Sequence, residues 1–253
     1  MTWGTLYGVG VGPGDPKLLT LRAVDILGQA DRIFAAASTK NDHSIALDIV
    51  TPHLKNGADV ERLGFPMTRD RDILAKAWRS NAQRVAEYLR TGNSGAFITL
   101  GDPMLYSTFA YVARELEREH PDIPVEIVPG ITSMQAAAAR TRTMLAAGGE
   151  SLAVLSGVAD EDKLRNALHV AENLVILKAY KGFGMIRRVL EEEGMAERAR
   201  FASQVGHDEE ALFMRLKDAP DAPHYLSLVM VPAQSDPAAS PAGTKEPGDA
   251  TGE

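Results

Sequence analysis

Short apolar runs alternate with helix-length amphipathic segments through the first half of the chain, and three of those runs end directly in glycine-bearing turns. The turns are Gly8-Val9-Gly10-Val11-Gly12-Pro13-Gly14-Asp15, Gly101-Asp102-Pro103-Met104-Leu105-Tyr106 and Pro129-Gly130-Ile131-Thr132-Ser133. Strand–helix alternation with short connections predicts an α/β domain with a largely parallel sheet. Ligands of such sheets settle outside the carboxyl ends of the strands, where loops meet helix N-termini. Three such turns on one sheet can meet at one ligand, so the pattern points to a small-molecule site.

The same reading places strands at Thr5 to Val11, Asp31 to Ala37, Val60 to Phe65, Ser94 to Leu100 and Val125 to Val128. Asp15 followed by Pro16 reads as an N-cap with proline at the first helical position, opening a helix whose apolar face is Leu18, Leu19, Ala23, Ile26 and Leu27. Further helices are expected over Ser44 to Val50, Arg71 to Arg90, Leu105 to His120 and Ile131 to Arg140. The regularity breaks at Gly148-Gly149, a candidate boundary. Beyond it, strand-like Leu152 to Ser156 and Leu174 to Leu177, helices near Glu161 to His169 and Phe183 to Glu193, and three more strand-like runs suggest a second, smaller α+β domain. The expected division is 1–143, 144–233 and a tail, 234–253, whose Ala, Pro, Gly, Ser and Thr content predicts disorder.

Bulk properties remove several classes of function. The net charge of -7 argues against nucleic-acid binding through a general basic surface. The chain has no cysteine, which excludes disulfides, thiolate metal sites and Cys nucleophiles and fits a reducing compartment. No apolar run approaches the roughly 20 residues of a membrane span, and Met1-Thr2-Trp3-Gly4 runs into a strand pattern without the features of a signal peptide. A cytoplasmic protein is expected. The six histidines form no ligand-like cluster, so no bound catalytic metal is expected.

The first turn is not a dinucleotide fingerprint. From Gly8 and Gly10 the third glycine position of Gly-x-Gly-x-x-Gly holds Pro13, and from Gly10 and Gly12 it holds Asp15. A phosphate loop fails as well, since Lys17 follows Pro16. Asp15 at a helix start would itself occupy the amides that an anion needs.

Taken together, the three strings resemble the tetrapyrrole methyltransferases, which methylate porphyrin-like rings with S-adenosylmethionine. Gly10-Val11-Gly12-Pro13-Gly14-Asp15 with Leu19-Thr20 is similar to the family's N-terminal loop, Gly101-Asp102-Pro103 with Tyr106 to its second motif, and Pro129-Gly130-Ile131-Thr132-Ser133 to its third. The likeness runs from residue 3 to about 232. Phe65-Pro66-Met67-Thr68 with Asp70, and Leu100 to Thr108, most resemble members acting at carbon 20 of precorrin-2. Members acting on the cobalt-bearing form of that substrate, or at another ring carbon, are the alternatives. A nicotinamide oxidoreductase lacks its fingerprint here, and a non-catalytic tetrapyrrole carrier would ignore S-adenosylmethionine.

The resemblance implies a two-domain α/β protein, usually a homodimer, with S-adenosylmethionine in a cleft between domains. It places Pro13, Gly101, Asp102, Met104, Leu105, Thr132, Ser133 and Tyr180 at the cofactor. Capping explains Asp102, Thr132 and Ser133 as well, and a plain core role explains Tyr180. An acidic protein with a polycarboxylate substrate needs local cations, for which Lys40, Arg69 and Arg71 are candidates, with Arg140 and Arg142 behind them; ordinary solvated charge is the other account. No catalytic acid or base is expected, because methyl transfer to an electron-rich ring carbon depends chiefly on positioning.

Overall fold

The computed structural model describes residues 2–38, 43–68 and 70–234; Lys40, Arg69 and nearly all of the expected tail lie outside them. Contacts divide the chain into two units, Met1–Arg140 with Ala202–Ala211, and Thr141–Phe201 with Leu212–Glu253. Each is described by itself.

The first unit holds β1 (Leu6–Gly10), α1 (Leu21–Gln29), β2 (Arg32–Ser38), α2 (Ile45–Val50), β3 (Val60–Phe65), α3 (Arg71–Leu89), β4 (Gly95–Thr99), α4 (Phe109–Glu119), β5 (Val125–Val128) and α5 (Ser133–Thr141), the last ending one residue past the division. The strands form one sheet in the order β3-β2-β4-β1-β5, in which each neighbouring pair runs parallel, with Gly10 opposite Thr99 and Val9 opposite Val128. Side chains alternate across this sheet as a period of two requires. Leu6, Phe34 and Phe97 bury one face against Val85, Leu89, Phe109, Val112 and Leu116 of α3 and α4. Val9, Ile33, Ala35, Ala96 and Ile98 bury the other against Ala23, Ile26, Leu27, Ile49 and Val50 of α1 and α2. The result is a three-layer α/β unit with helices on both faces of a parallel sheet.

Two helices start later than the sequence pattern suggests. Asp15 does cap, accepting from the Lys17 N–H at 2.9 Å, but it opens only a 3-10 turn over Pro16–Leu18. Leu19 is extended (ψ 142), and the Thr20 hydroxyl accepts from the Ala23 N–H at 3.1 Å, so α1 begins with its own cap. Likewise α4 waits until Phe109, because the chain from Gly101 to Ser107 is a turn in which Tyr106 has φ 51. In α3 the buried face is Asn81, Ala82, Val85, Ala86 and Leu89, whereas Ile73 is exposed.

The second five-stranded sheet is mixed, in the order β6-β7-β10-β8-β9, from β6 (Leu152–Ser156), β7 (Asn173–Leu177), β8 (Arg200–Ser203), β9 (Ala211–Phe213) and β10 (Ser227–Val231). β6 and β7 are parallel, and β7 and β10 antiparallel. The helices α6 (Glu161–Val170) and α7 (Phe183–Glu192) bury Leu164, Leu168, Ile186, Val189 and Leu190 with Leu174, Ile176, Phe201 and Val229. Among the described residues no helix is long and apolar enough to cross a membrane.

At one point the fold admits no β-carbon. A methyl group on Gly130 would lie 2.2 Å from the Gly101 carbonyl oxygen and 2.7 Å from the Gly10 Cα. Gly130→Ala should therefore destabilise by about 3 kcal/mol or more, at or beyond the upper end for an overpacked site, because backbone must move. Gly28→Ala, inside α1 with no described residue beyond its own helix within 4 Å of the added carbon, should stabilise by about 0.5–1 kcal/mol. Urea denaturation of both variants checks the pair.

Candidate active site

Within the first unit, β4 and β1 are neighbours whose chains leave in opposite senses. β1 continues through α1 on one face of the sheet and β4 through α4 on the other. This is a topological switch point, where diverging loops open a crevice at the carboxyl edge. β5 flanks β1 on its far side, so all three glycine-bearing turns of the sequence emerge together.

The convergence is direct. Gly101 donates to the Gly12 carbonyl at 2.8 Å, Gly12 donates to the Gly101 carbonyl at 3.4 Å, and Val11 donates to the Thr99 carbonyl at 3.0 Å. A β-carbon on Gly10 would stand 2.6 Å from both the Gly101 oxygen and the Gly130 nitrogen. Gly101 has φ 72, in the left-handed region that favours glycine, and among the described residues beyond its chain neighbours a β-carbon there would meet only the Thr132 Cα, at 3.9 Å. The side of Gly101 away from the junction is open.

Asp102 ties two of the turns together. Its Oδ1 accepts from the Met104 N–H at 2.8 Å and its Oδ2 from the Gly130 N–H at 3.0 Å. The carboxylate thus satisfies amides of its own turn and of the turn after β5, and its charge is spread over two donors. The third turn is held by a capping box that the Thr132-x-x-Gln135 spacing spells out. The Thr132 N–H and hydroxyl both donate to Gln135 Oε1, at 2.9 and 3.0 Å, and the Gln135 N–H donates back to Thr132 Oγ1 at 3.3 Å. Below the second turn, buried Ser107 and Thr99 share a hydroxyl–hydroxyl bond of 3.1 Å, and Ser107 accepts from the Phe109 N–H. Gln135, Ser107 and Thr99 were not singled out as site residues, although the capping box was readable in the sequence.

Of the expected site residues, Pro13, Gly101, Asp102, Met104, Leu105, Thr132 and Ser133 come from these three turns. Pro13 is buried beside Gly12, Leu105 is half-buried, and the Met104 side chain is 63% exposed. Tyr180 belongs to the second unit, where its N–H donates to Ser227 Oγ at 3.0 Å and its ring meets Tyr225 edge-on at 6.5 Å. Arg71 is exposed as the first residue of α3, beside the Asp70 cap. Arg140 is turned toward carboxylates, 3.9 Å from Asp15 and 3.6 Å from Glu210. Lys40 and Arg69 lie outside the described residues.

The model of the family described as tetrapyrrole (corrin/porphyrin) methylases matches residues 5–220. The chain belongs to that family. A cobalt-precorrin-2 C(20)-methyltransferase of Salmonella typhimurium is 36% identical over 233 residues, 91% of this chain and 97% of that protein. A precorrin-2 C(20)-methyltransferase of a Sinorhizobium species is 33% identical over 245 residues, 92% of this chain and 97% of that one. Among solved structures, a uroporphyrin-III-C-methyltransferase of Thermus thermophilus superposes with TM-score 0.63 at 25% identity, covering 90% of this chain and 94% of that one. A structure of the Thermus thermophilus uroporphyrin-III C-methyltransferase complexed with S-adenosylhomocysteine gives 0.64 at 22% identity, covering 90% and 97%, a likeness of fold. This tetrapyrrole methylase accordingly carries the family's α/β fold, with its three glycine-bearing turns at one edge.

Asp102→Asn tests the tie. An amide side chain can accept from only one of the two N–H groups and turns a donor toward the other. The variant should lose about 1–3 kcal/mol and show faster hydrogen exchange at the Gly130 or Met104 amide. Thr132→Ala should cost about 1 kcal/mol, the value of a lost cap, with exchange rising at Gln135.

Proposed function

We propose that this protein methylates carbon 20 of precorrin-2 with S-adenosylmethionine, giving precorrin-3A in the corrin-ring biosynthesis that leads to cobalamin. The observation that carries this reading is identity of 33–36%, over more than nine-tenths of the chain, to relatives named for methylation at that one carbon. They differ in whether their substrate holds cobalt.

The three-turn junction fits the cofactor on its own terms. Gly101 leaves open space beside its backbone, and the rim consists of peptide groups from Gly101 to Leu105 and from Ile131 to Ser133, with Pro13, Met104 and Leu105 as apolar neighbours. These residues, with Asp102 as a secured anchor, would hold the cofactor. Bound S-adenosylmethionine supplies a methyl group on a sulfonium whose positive charge vanishes as the methyl leaves. A rim of neutral carbonyls and apolar walls does not hold that charge back, whereas a bare carboxylate against it would stabilise the ground state over the transition state. Asp102, committed to two amides, is kept from that position. The chain's contribution is orientation, which can lower a barrier by roughly 7–11 kcal/mol. No side chain is assigned as catalytic acid or base.

The reading also carries a cytoplasmic homodimer, supported by the usual form of the family; sedimentation velocity should give twice the mass of one chain. Incubation with methyl-labelled S-adenosylmethionine and precorrin-2, and in parallel its cobalt-bearing form, tests the activity. Carbon-13 spectra should place the label at carbon 20. Label at another ring carbon would reassign the position, and tetrapyrrole binding without label transfer would make the protein a carrier. The better turned-over substrate settles the metal status.

A further inference from the structure

The second unit has a turn whose two lysines have no role in the reaction proposed above. Parallel β6 and β7 end side by side, Ser156 opposite Leu177, and the Gly157 N–H donates to the Leu177 carbonyl at 2.9 Å. From that carboxyl edge the chain runs Lys178-Ala179-Tyr180-Lys181-Gly182. Three hydrogen bonds fix it. Ala179 donates to the Ser227 carbonyl at 3.0 Å, Tyr180 to Ser227 Oγ at 3.0 Å, and Lys181 back to the Lys178 carbonyl at 3.2 Å. Lys178 itself is left-handed, φ 54, a conformation costly to a residue with a β-carbon and found where a site over-determines the backbone.

This backbone brings two ammonium groups together. Lys178 reaches solvent, yet the protein packed around it and, second, the charge of Lys181 both lower its pKa. The Lys181 Nζ lies 5.7 Å from the centre of the Tyr180 ring, which stands against Tyr225. Among the described residues neither lysine forms an ion pair, while Arg and Lys side chains elsewhere stand within 3.2 Å of carboxylates. In a chain of net charge -7, two adjacent cations without a counter-ion are arranged for an anion from outside. Their place at the carboxyl edge of parallel strands is where such sheets take ligands.

We infer that Lys178 and Lys181 bind a side-chain carboxylate of the tetrapyrrole. The inference rests on the substrate proposed above. The methionine part of S-adenosylmethionine also bears a carboxylate, so the test separates the two sources. Full-length chain, Lys178→Met, Lys181→Met, the double variant and Lys178→Arg are titrated against uroporphyrin III by fluorescence quenching, and against S-adenosylmethionine by calorimetry. Each Met substitution should weaken porphyrin binding about tenfold, as the loss of a charge-assisted hydrogen bond does. The double variant should also flatten the salt dependence, Lys178→Arg should retain affinity, and S-adenosylmethionine binding should not change. Unaltered porphyrin affinity in the double variant overturns the inference, as does absence of porphyrin binding by the unaltered chain. Loss confined to S-adenosylmethionine overturns it too. An unaltered chain that binds the porphyrin through these lysines but transfers no methyl to precorrin-2 refutes the proposed reaction and leaves the carboxylate site standing.

Discussion

Backbone packed on backbone at Gly10, Gly101 and Gly130 sets the geometry of everything at the carboxyl edge of the first sheet. Side chains normally keep neighbouring loops apart. Here the Gly101 oxygen reaches within 2.2 Å of where a Gly130 β-carbon would stand, so the loops after β1, β4 and β5 share one point. Parallel pairing brings the three strand ends level, and the glycines let the turns close over them. Asp102 then supplies the polar half of the arrangement by occupying amides that the close approach would otherwise leave unmet. The outcome is a junction of three turns in which the Asp102 carboxylate is held by two backbone amides.

Much of this was legible in the residues. β3 and α3 each lie within a residue of their expected bounds, β3 burying Leu63 and Phe65 and α3 burying Val85 and Leu89. That the three turns meet was readable in the glycines at the strand ends, which let backbone approach backbone. The late starts of α1 and α4 were harder to read, since competing local bonds decide them. Thr20 outbids Asp15 as the cap of α1, and Tyr106 takes a left-handed conformation that nothing in its own chemistry demands. The role of Asp102 was half legible. Its position after a strand marked it, but the Gly130 amide it holds is 28 residues away, and long-range partners leave no local signature.

Charge shows the same division between local and distant. An acidic chain with a polycarboxylate substrate needs cations where the substrate sits, and composition does not say where. Arg140, which stood among the candidates, faces Asp15 and Glu210. Lys178 and Lys181 were unremarkable in sequence, three residues apart in a segment noted for its tyrosine. Only the left-handed backbone and the lack of a carboxylate partner among the described residues give them meaning.

The first unit is not a continuous stretch of chain. Ala202–Ala211 belongs to it, and Gly14 has the Val205 carbonyl oxygen 2.6 Å from where its β-carbon would be, with the Gly206 N–H held by Glu210 at 2.7 Å. A ribosome releasing the chain from its N-terminus therefore delivers the wall behind the first glycine turn only after most of the other unit has been synthesised. The sheet can form early from its own strands, but the Gly12–Asp15 loop stays without these neighbours until Thr141–Phe201 has followed the last helix of the sheet out, several seconds more at about 5–20 residues per second. Vectorial synthesis thus leaves the edge that carries the glycine turns as the last part of that unit to mature.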